Sequence, residues 1–394
     1  MNRSWLLTSI CIIFFSLNAN GQAFRFQGTV RDSVSQKTIE KVITLGEVEV
    51  SSLRVNRKIK ELPVPLTVVG SNSFLKLSAL TLSHVLAAEP GISMGSDGVW
   101  ATSINIRGLS ENRLVTLIDG NRVETANDLT ASFSMTDVND IDRVEVVKGA
   151  QSSLYGTGAI GGIVNIITKD GHFAGKPYIS GNVISGYASS NELFTGHADI
   201  NTGSEKWYFR VSGTYNNAND IRTPEGILPN SQFTSDNITG KIGLKPFSNH
   251  LFKVQYQSNR ATNVGIPGGE AFPGPAEATY TNISRQLFSA NYEISDITHK
   301  LALLKLSYFT QYIQRDVAMI PNTVSVIPLP SGTQRVTPEL VSPIGNHLTH
   351  GAQLQSTWNF TDKNNLIAGV DIWTRKVTTE RTKIIKSEVL DAAG

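Results

Sequence analysis

The sequence predicts two successive folds: a small mixed α/β domain over residues 51–170, then an antiparallel transmembrane β-barrel over residues 177–394. Three observations carry this expectation. Residues 66–168 hold short apolar, β-branched runs separated by turn pairs, with one helix-like segment among them. Beyond residue 177 the pattern changes to long strands of alternating apolar and polar residues. The connections between those strands alternate between short and long, as outer-membrane barrels show and a soluble sandwich has no reason to keep.

The N-terminus reads as an export signal. Arg3 supplies the positive end, 5–17 the apolar core and Ala19-Asn20-Gly21 a small-residue cleavage site, giving a signal peptide over residues 1–21. The single cysteine, Cys11, lies inside that apolar run, so the mature chain is expected to contain none and to use neither disulfides nor thiol chemistry. Lys and Arg number 35 against 33 Asp and Glu, a balance that gives no reason to expect nucleic acid. No later run of about 18 apolar residues is present, which argues against a helical membrane protein.

Residues 22–50 form a tether. Its end, Ile43-Thr44-Leu45-Gly46-Glu47-Val48-Glu49-Val50, alternates apolar and polar residues, which suits an extended segment able to pair with the edge of a partner's sheet. The same alternation suits the first strand of the α/β domain's own sheet. In that domain, 66–69 is strand-like. Residues 81–88 are helix-like and are stopped by Glu89-Pro90-Gly91, because proline biases its predecessor away from helix. Strands follow at 104–107 and 114–118, with Asp119-Gly120 as a tight-turn pair. Strands at 143–147 and 163–168 complete the sheet. Polar loops are expected at 94–102 and 124–135.

Gly156-x-Gly158-x-x-Gly161 superficially matches a dinucleotide fingerprint. That motif needs a helix after the glycines, whereas Ile163, Val164, Ile166 and Ile167 favour a strand, and Asp170 is too close to serve the ribose. Gly149, Gly156, Gly158, Gly161 and Gly162 are instead expected to permit positive φ and close backbone approach. Asp137, Asp140 and Asp142 precede a strand and are expected to form a solvated turn. The spacing His347-x-x-His350 lacks a nearby third ligand, so no metal site is assigned. No catalytic constellation is found, no cofactor is implied, and an enzyme is the weakest of the functional classes considered.

Barrel strands are expected near 177–189, 192–202, 206–218, 234–245, 250–261, 282–294, 299–315, 349–360 and 365–378. Short turns lie at 201–205, 245–249, 295–298 and 361–364; long loops lie at 217–232, 262–281 and 316–348. Tyr187, Trp207, Tyr208, Tyr215, Tyr256, Tyr292, Tyr308, Tyr312, Trp358 and Trp373 stand where interfacial aromatic girdles belong.

The block from Ile141 to Lys169, IDRVEVVKGAQSSLYGTGAIGGIVNIITK, resembles the plug signature of TonB-dependent outer-membrane receptors. A second block, INIRGLSENRLVTLIDGNR from Ile104 to Arg122, resembles the family at the expected distance upstream. The resemblance covers residues 45–170 closely and the remainder through its strand pattern. It implies a receptor in the outer membrane of a Gram-negative bacterium, in contact with outer-membrane lipid. Energised uptake of a metal chelate or similar scarce nutrient (ferric siderophore, haem or cobalamin class) would be driven by the C-terminal domain of TonB with its proton-powered inner-membrane complex. On this resemblance Ile43–Val50 is the TonB box. Arg107 and Lys148 match basic residues that latch the plug to barrel carboxylates. Ser96, Asp97, Trp100, Asn127, Asp128 and Phe133 match ligand-facing plug loops. Family barrels have about 22 strands around the plug, and about nine are counted here. The chain is therefore expected to be the N-terminal portion of such a receptor, the alternative being a non-transporting surface binding module or an inactive truncated receptor.

Overall fold

A computed structural model describes residues 49–50, 57–58, 65–77, 79–123, 133–150, 155, 158–267, 276–361 and 364–391. The first strands, β1 (Glu49–Val50) and β2 (Arg57–Lys58), pair antiparallel as a separate two-stranded sheet. β3 (Leu66–Gly70) leads into helices at Ser71–Leu77 and Leu82–Leu86. There follow β4 (Ile92–Ser96), β5 (Thr102–Ile106), β6 (Leu109–Ser110), β7 (Leu114–Ile118), β8 (Asn121–Val123), β9 (Ile141–Lys148) and β10 (Gly162–Thr168). Five of these form a mixed sheet in the order β3-β9-β10-β7-β8, with β10 parallel to β7 and antiparallel to β9.

Two hairpins in this domain turn on adjacent residues with positive φ. Arg107 and Gly108 (52° and 80°) join β5 to β6, and Asp119 and Gly120 (50° and 79°) join β7 to β8. Positive φ at both central residues is the type I′ geometry whose twist matches that of the flanking strands. The sheet is buried on both faces. Val144, Val146, Val164 and Ile166 join one apolar cluster, while Val115, Leu117, Val147 and Ile163 form a second. A sheet covered on both faces reads as continuous apolar runs rather than strict alternation, which is the pattern of VEVV and IVNII.

The large sheet begins at β11 (Tyr178–Ala188) and continues through β12 (Leu193–Gly203) and β13 (Trp207–Ala218). A small hairpin, β14 (Ile221–Thr223) and β15 (Gly226–Leu228), precedes β16 (Phe233–Leu244), β17 (His250–Ile266), β18 (Ala276–Ser295) and β19 (Leu301–Pro321). β20 (Ser325–Leu329), β21 (Gly332–Thr361) and β22 (Asn364–Asp391) complete it. Strands β11, β12, β13, β16, β17, β18, β19, β21 and β22 pair antiparallel in chain order, matching the nine expected. β11 and β22 are its two edges among the described residues, and the sheet does not close there.

Strand register separates two environments. Phe252, Tyr292, Leu306, Leu354 and Val370 lie in one row across five strands on the outer face. The next row, Lys253, Asn291, Ser307, Gln353 and Asp371, faces inward and is polar. Apolar outward and polar inward is the pattern of a barrel in lipid.

Three expectations need correction. Residues 316–348 are not a loop: β19 runs to Pro321, β20 pairs back, and β21 starts at Gly332. A strand of 30 residues spans about 100 Å, so its N-terminal half extends well past the bilayer. Pro328, Pro338 and Pro343 are all accommodated in pairs, with a register shift beside Pro338. Second, Tyr208 and Trp373 do not belong to a girdle; both face inward, whereas the other eight aromatics named above share the outward register. Tyr208 covers its cross-strand partner Gly243, where an added Cβ would lie 2.1 Å from the ring. Third, His347, expected in the long loop at 316–348, lies with His350 in β21. Their odd spacing puts them on opposite faces, so they cannot share a metal ion. Among the described residues no cluster of metal-ligating side chains is found.

Candidate functional site

The α/β domain is fastened to the inner face of the sheet by its own carboxylates. Asp137 ends the extended approach to a 3-10 turn at Val138–Asp140 and caps it, its Oδ1 accepting from the Asn139 N–H at 3.0 Å. The turn directs Asp140 at β13, where its two carboxylate oxygens accept from Arg210 Nη2 and Ser212 Oγ, each at 2.7 Å. The other carboxylate oxygen of Asp137, Oδ2, accepts from the Thr214 hydroxyl and lies 3.5 Å from His197 Nδ1. Arg210, Ser212 and Thr214 are alternate residues of one strand, so period two aims all three inward. Asp137, Asp140 and Arg210 are all buried. Burial alone would raise the Asp140 carboxyl; Arg210, with the hydroxyls of Ser212 and Thr239, overrides that and holds it below the usual carboxylate range. The solvated turn expected at Asp137 and Asp140 is thus overturned, while Asp142 does stay at the surface, paired with Arg143 at 3.0 Å.

A second anchor sits where the chain leaves the α/β domain. Asp170 accepts from Lys241 Nζ at 2.9 Å and Lys253 Nζ at 2.6 Å. Lys241 also donates to the Thr168 carbonyl at 3.1 Å. Asp119, held in the β7–β8 turn, accepts from the Thr168 N–H and hydroxyl at 2.8 and 2.5 Å and stands 3.6 Å from Lys241. Burial pushes the Asp170 carboxyl up, but the two lysines win and hold it at about 2. A carboxyl held low contributes stability above its unfolded value near pH 4, and that contribution is lost as pH falls from about 4 through about 2. Asp170 is 35% exposed, so solvent screening limits the strength of the pair. Asp170→Asn is expected to loosen residues 168–171 already at neutral pH. It should also flatten the acid dependence of their hydrogen exchange between pH 5 and 2. Equal acid dependence in variant and parent would show that the anchor rests on other groups.

A third contact places Arg285 of β18, fully buried, against the Met135 carbonyl, with Nε at 3.3 Å and Nη2 at 2.9 Å. Sequence reasoning missed this whole set. Inward polar residues on β13, β16, β17 and β18 were visible as a pattern, but nothing local distinguishes a residue facing water from one facing a carboxylate.

The residues singled out in the sequence are placed as follows. Lys148 is buried and donates to the Pro90 carbonyl at 2.5 Å, inside its own domain. Arg107 is exposed at the β5–β6 turn, and its backbone N–H donates to the Gly91 carbonyl at 3.0 Å. Both therefore bond to adjacent carbonyls of the turn at Pro90–Gly91, and among the described residues neither is ion-paired with a carboxylate of β11–β22. Ser96 is exposed, and its hydroxyl donates to the Gly98 carbonyl at 2.6 Å. Asp97, Trp100 and Phe133 are not exposed loop residues. All three are buried, and Trp100 and Phe133 pack in one cluster with Phe233, Tyr280 and Ile283 of the large sheet. Expected loop 94–102 begins instead as β4, whose Met94–Ser96 pairs with β5. Asn127, Asp128 and Gly156 lie outside the described residues, as do Ile43, Thr44, Leu45, Gly46, Glu47 and Val48. Glu49 and Val50 pair with Lys58 and Arg57 and are not part of the five-stranded sheet.

Four glycines of this turn have a steric role. Gly149, Gly158 and Gly162 have φ of 110°, 94° and 146°. At Gly161 an added Cβ would lie 2.7 Å from Leu114 Cδ2 and 2.8 Å from Leu109 Cβ. A strand, β10, follows them, so the dinucleotide geometry is absent.

A compact α/β domain clamped by buried charges to the polar inner face of a long-stranded sheet with an apolar outer face defines a plugged outer-membrane barrel. Residues 58–163 match the TonB-dependent Receptor Plug Domain family. The vitamin B12 transporter BtuB of Vibrio vulnificus (strain CMCP6) is 30% identical over 308 residues, covering 71% of this chain and 49% of that protein. A rhizobactin receptor of Rhizobium meliloti (strain 1021) is 29% identical over 307 residues, 70% of this chain and 40% of its own. The chain thus spans about half the length, or less, of these relatives. Among solved structures, the copper transporter OprC superposes with a TM-score of 0.67 at 21% identity, over 80% of this chain and 47% of that one. The chain belongs to the TonB-dependent outer-membrane receptors.

Proposed function

We propose that the protein is the N-terminal portion of a receptor for energised uptake of a scarce nutrient across the outer membrane. The observation that supports this most directly is the plug itself, seated on the inner wall through Asp140–Arg210 and Asp170–Lys241–Lys253. A barrel closed by a separately folded domain needs a means to move that domain, and these contacts are of a kind that an applied force can break. In this reading ligand binds from the long-loop side. Occupancy changes the exposure of residues 43–50, TonB pairs with them by strand addition, and the pull displaces the plug. The protein then needs no nucleotide of its own.

Relatives described as transporters of vitamin B12 and receptors of rhizobactin support a cobalamin or siderophore class of cargo without selecting one. Free edges on β11 and β22 would leave backbone groups unsatisfied in hydrocarbon. Transport therefore requires further strands joining those two edges. In an outer membrane where the barrel is closed, deleting residues 43–50 is expected to abolish uptake across a panel of ferric siderophores and cobalamin, leaving binding of the same ligands intact. Uptake that survives the deletion would refute the assignment of this segment to TonB.

A further inference from the structure

Between the plug and the inner wall lies a cavity of 480 Å³. Its walls come from Asp119, Thr168 and Asp170 on the plug side and from Lys253, Lys305 and Gln355 among others on the barrel side. Those barrel residues lie near the short turns at Leu244–His250, Ser295–Leu301 and Thr361–Asn364, so the cavity sits at the short-turn end, which in outer-membrane barrels faces the periplasm. The volume falls within the range of small-molecule sites.

We infer that this cavity is a binding site for a small, oxygen-rich polyanion of the polycarboxylate class, on the exit side of the plug. The ammonium groups of its lining are the first argument. Lys241, Lys253 and Lys305 face Asp119, Asp170 and Glu293, while Arg143 is held by Asp142 and Glu145, each at 3.0 Å. Hydrogen-bond bookkeeping is the second. The carboxylates are already engaged: Asp170 by two lysines, Glu293 by Lys305 at 2.9 Å and Asp119 by Thr168. Each ammonium has three N–H donors, and among the described residues Lys253 and Lys305 have one carboxylate partner apiece.

Two further polar atoms in the wall, Tyr208 Oη and Gln255 Nε2, are buried without a hydrogen-bond partner among the described residues. Tyr208 is 2% and Gln255 6% exposed. Buried polar atoms are normally satisfied, and those that are not call for an explanation. A surplus of donors, with the acceptors spoken for, is complementary to a ligand that brings acceptors and negative charge. The site is independent of the transport reading, because occupancy requires neither TonB nor an energised membrane.

Titration calorimetry on the full chain in detergent micelles would test this, with tricarballylate as the tricarboxylate and xylitol as a neutral polyol of similar size. Tricarballylate should bind, xylitol should not, and Lys305→Met should weaken tricarballylate by about tenfold, the usual scale for losing one charge-assisted contact. Gln255→Leu, which removes an unpartnered donor and keeps an apolar body, should weaken it severalfold without unfolding the sheet. Lys386→Met, exposed on β22 and remote from the cavity, should bind as the parent does. Equal binding of xylitol, absence of tricarballylate binding, or unchanged affinity in both Lys305→Met and Gln255→Leu would overturn the assignment.

Discussion

Arg210→Met is expected to release the plug from β13. The substitution keeps the bulk of the side chain but leaves Asp140 buried without its cation, and removing one partner of a buried pair typically costs roughly 3–5 kcal/mol. Ser212 and Thr239 can still donate to the carboxylate, but hydroxyls do not replace a full charge. The measurable consequence is faster hydrogen exchange in residues 138–148, which hold the 3-10 turn and β9, with β16–β19 unaffected. Asp140→Asn combined with Arg210→Met should recover much of the protection, since the cost lies in the stranded charge more than in the lost bond. Wild-type exchange in Arg210→Met would mean that the apolar cluster around Trp100 and Phe133 holds the plug without the ion pair.

That experiment bears on what the sequence could reveal. Strand positions were legible because lipid on one side and water or plug on the other impose a period of two, and short turns punctuate it; the strands expected at 177–189 and 206–218 are observed at 178–188 and 207–218. The plug's central strands were legible for the opposite reason, being apolar on both faces. What stayed hidden is everything that depends on which inward side chain meets which plug residue. Asp137 and Asp140 have the spacing of an ordinary capped turn, and Asp137 does cap one. Their second role depends on Arg210, some 70 positions away, and no local pattern encodes that meeting. The polar alternation of Arg210, Ser212 and Thr214 was a usable signal only in hindsight, because a water-facing barrel wall is polar in the same way. Trp100 and Phe133 misled through composition: polar neighbours suggested exposed loops, whereas the upper barrel wall supplies Phe233, Tyr280 and Ile283 to cover them.

The largest destabilisation is expected at the glycine turn. Gly162 opens β10 with φ of 146°, and a Cβ on it would stand 2.3 Å from the Val147 carbonyl oxygen, a backbone atom of the neighbouring strand β9. Relief would require β9 and β10 to separate at the pair Gly162–Lys148, next to the Gly149 N–H bond to the Gly161 carbonyl at 3.0 Å. Those two strands are the centre of the five-stranded sheet, with β3 on one side and β7 on the other, so a local shift would spread through its order. Gly162→Ala should therefore cost more than about 4 kcal/mol, the range reserved for strained backbone and disrupted cores. Gly161→Val, forced against Leu109 and Leu114, should behave alike. In both variants protease should cleave within residues 66–168 while β11–β22 resist. A plug that stays protected in Gly162→Ala would show that β9 and β10 can part without loss of the sheet, and the turn would then be a hinge rather than a fixed point.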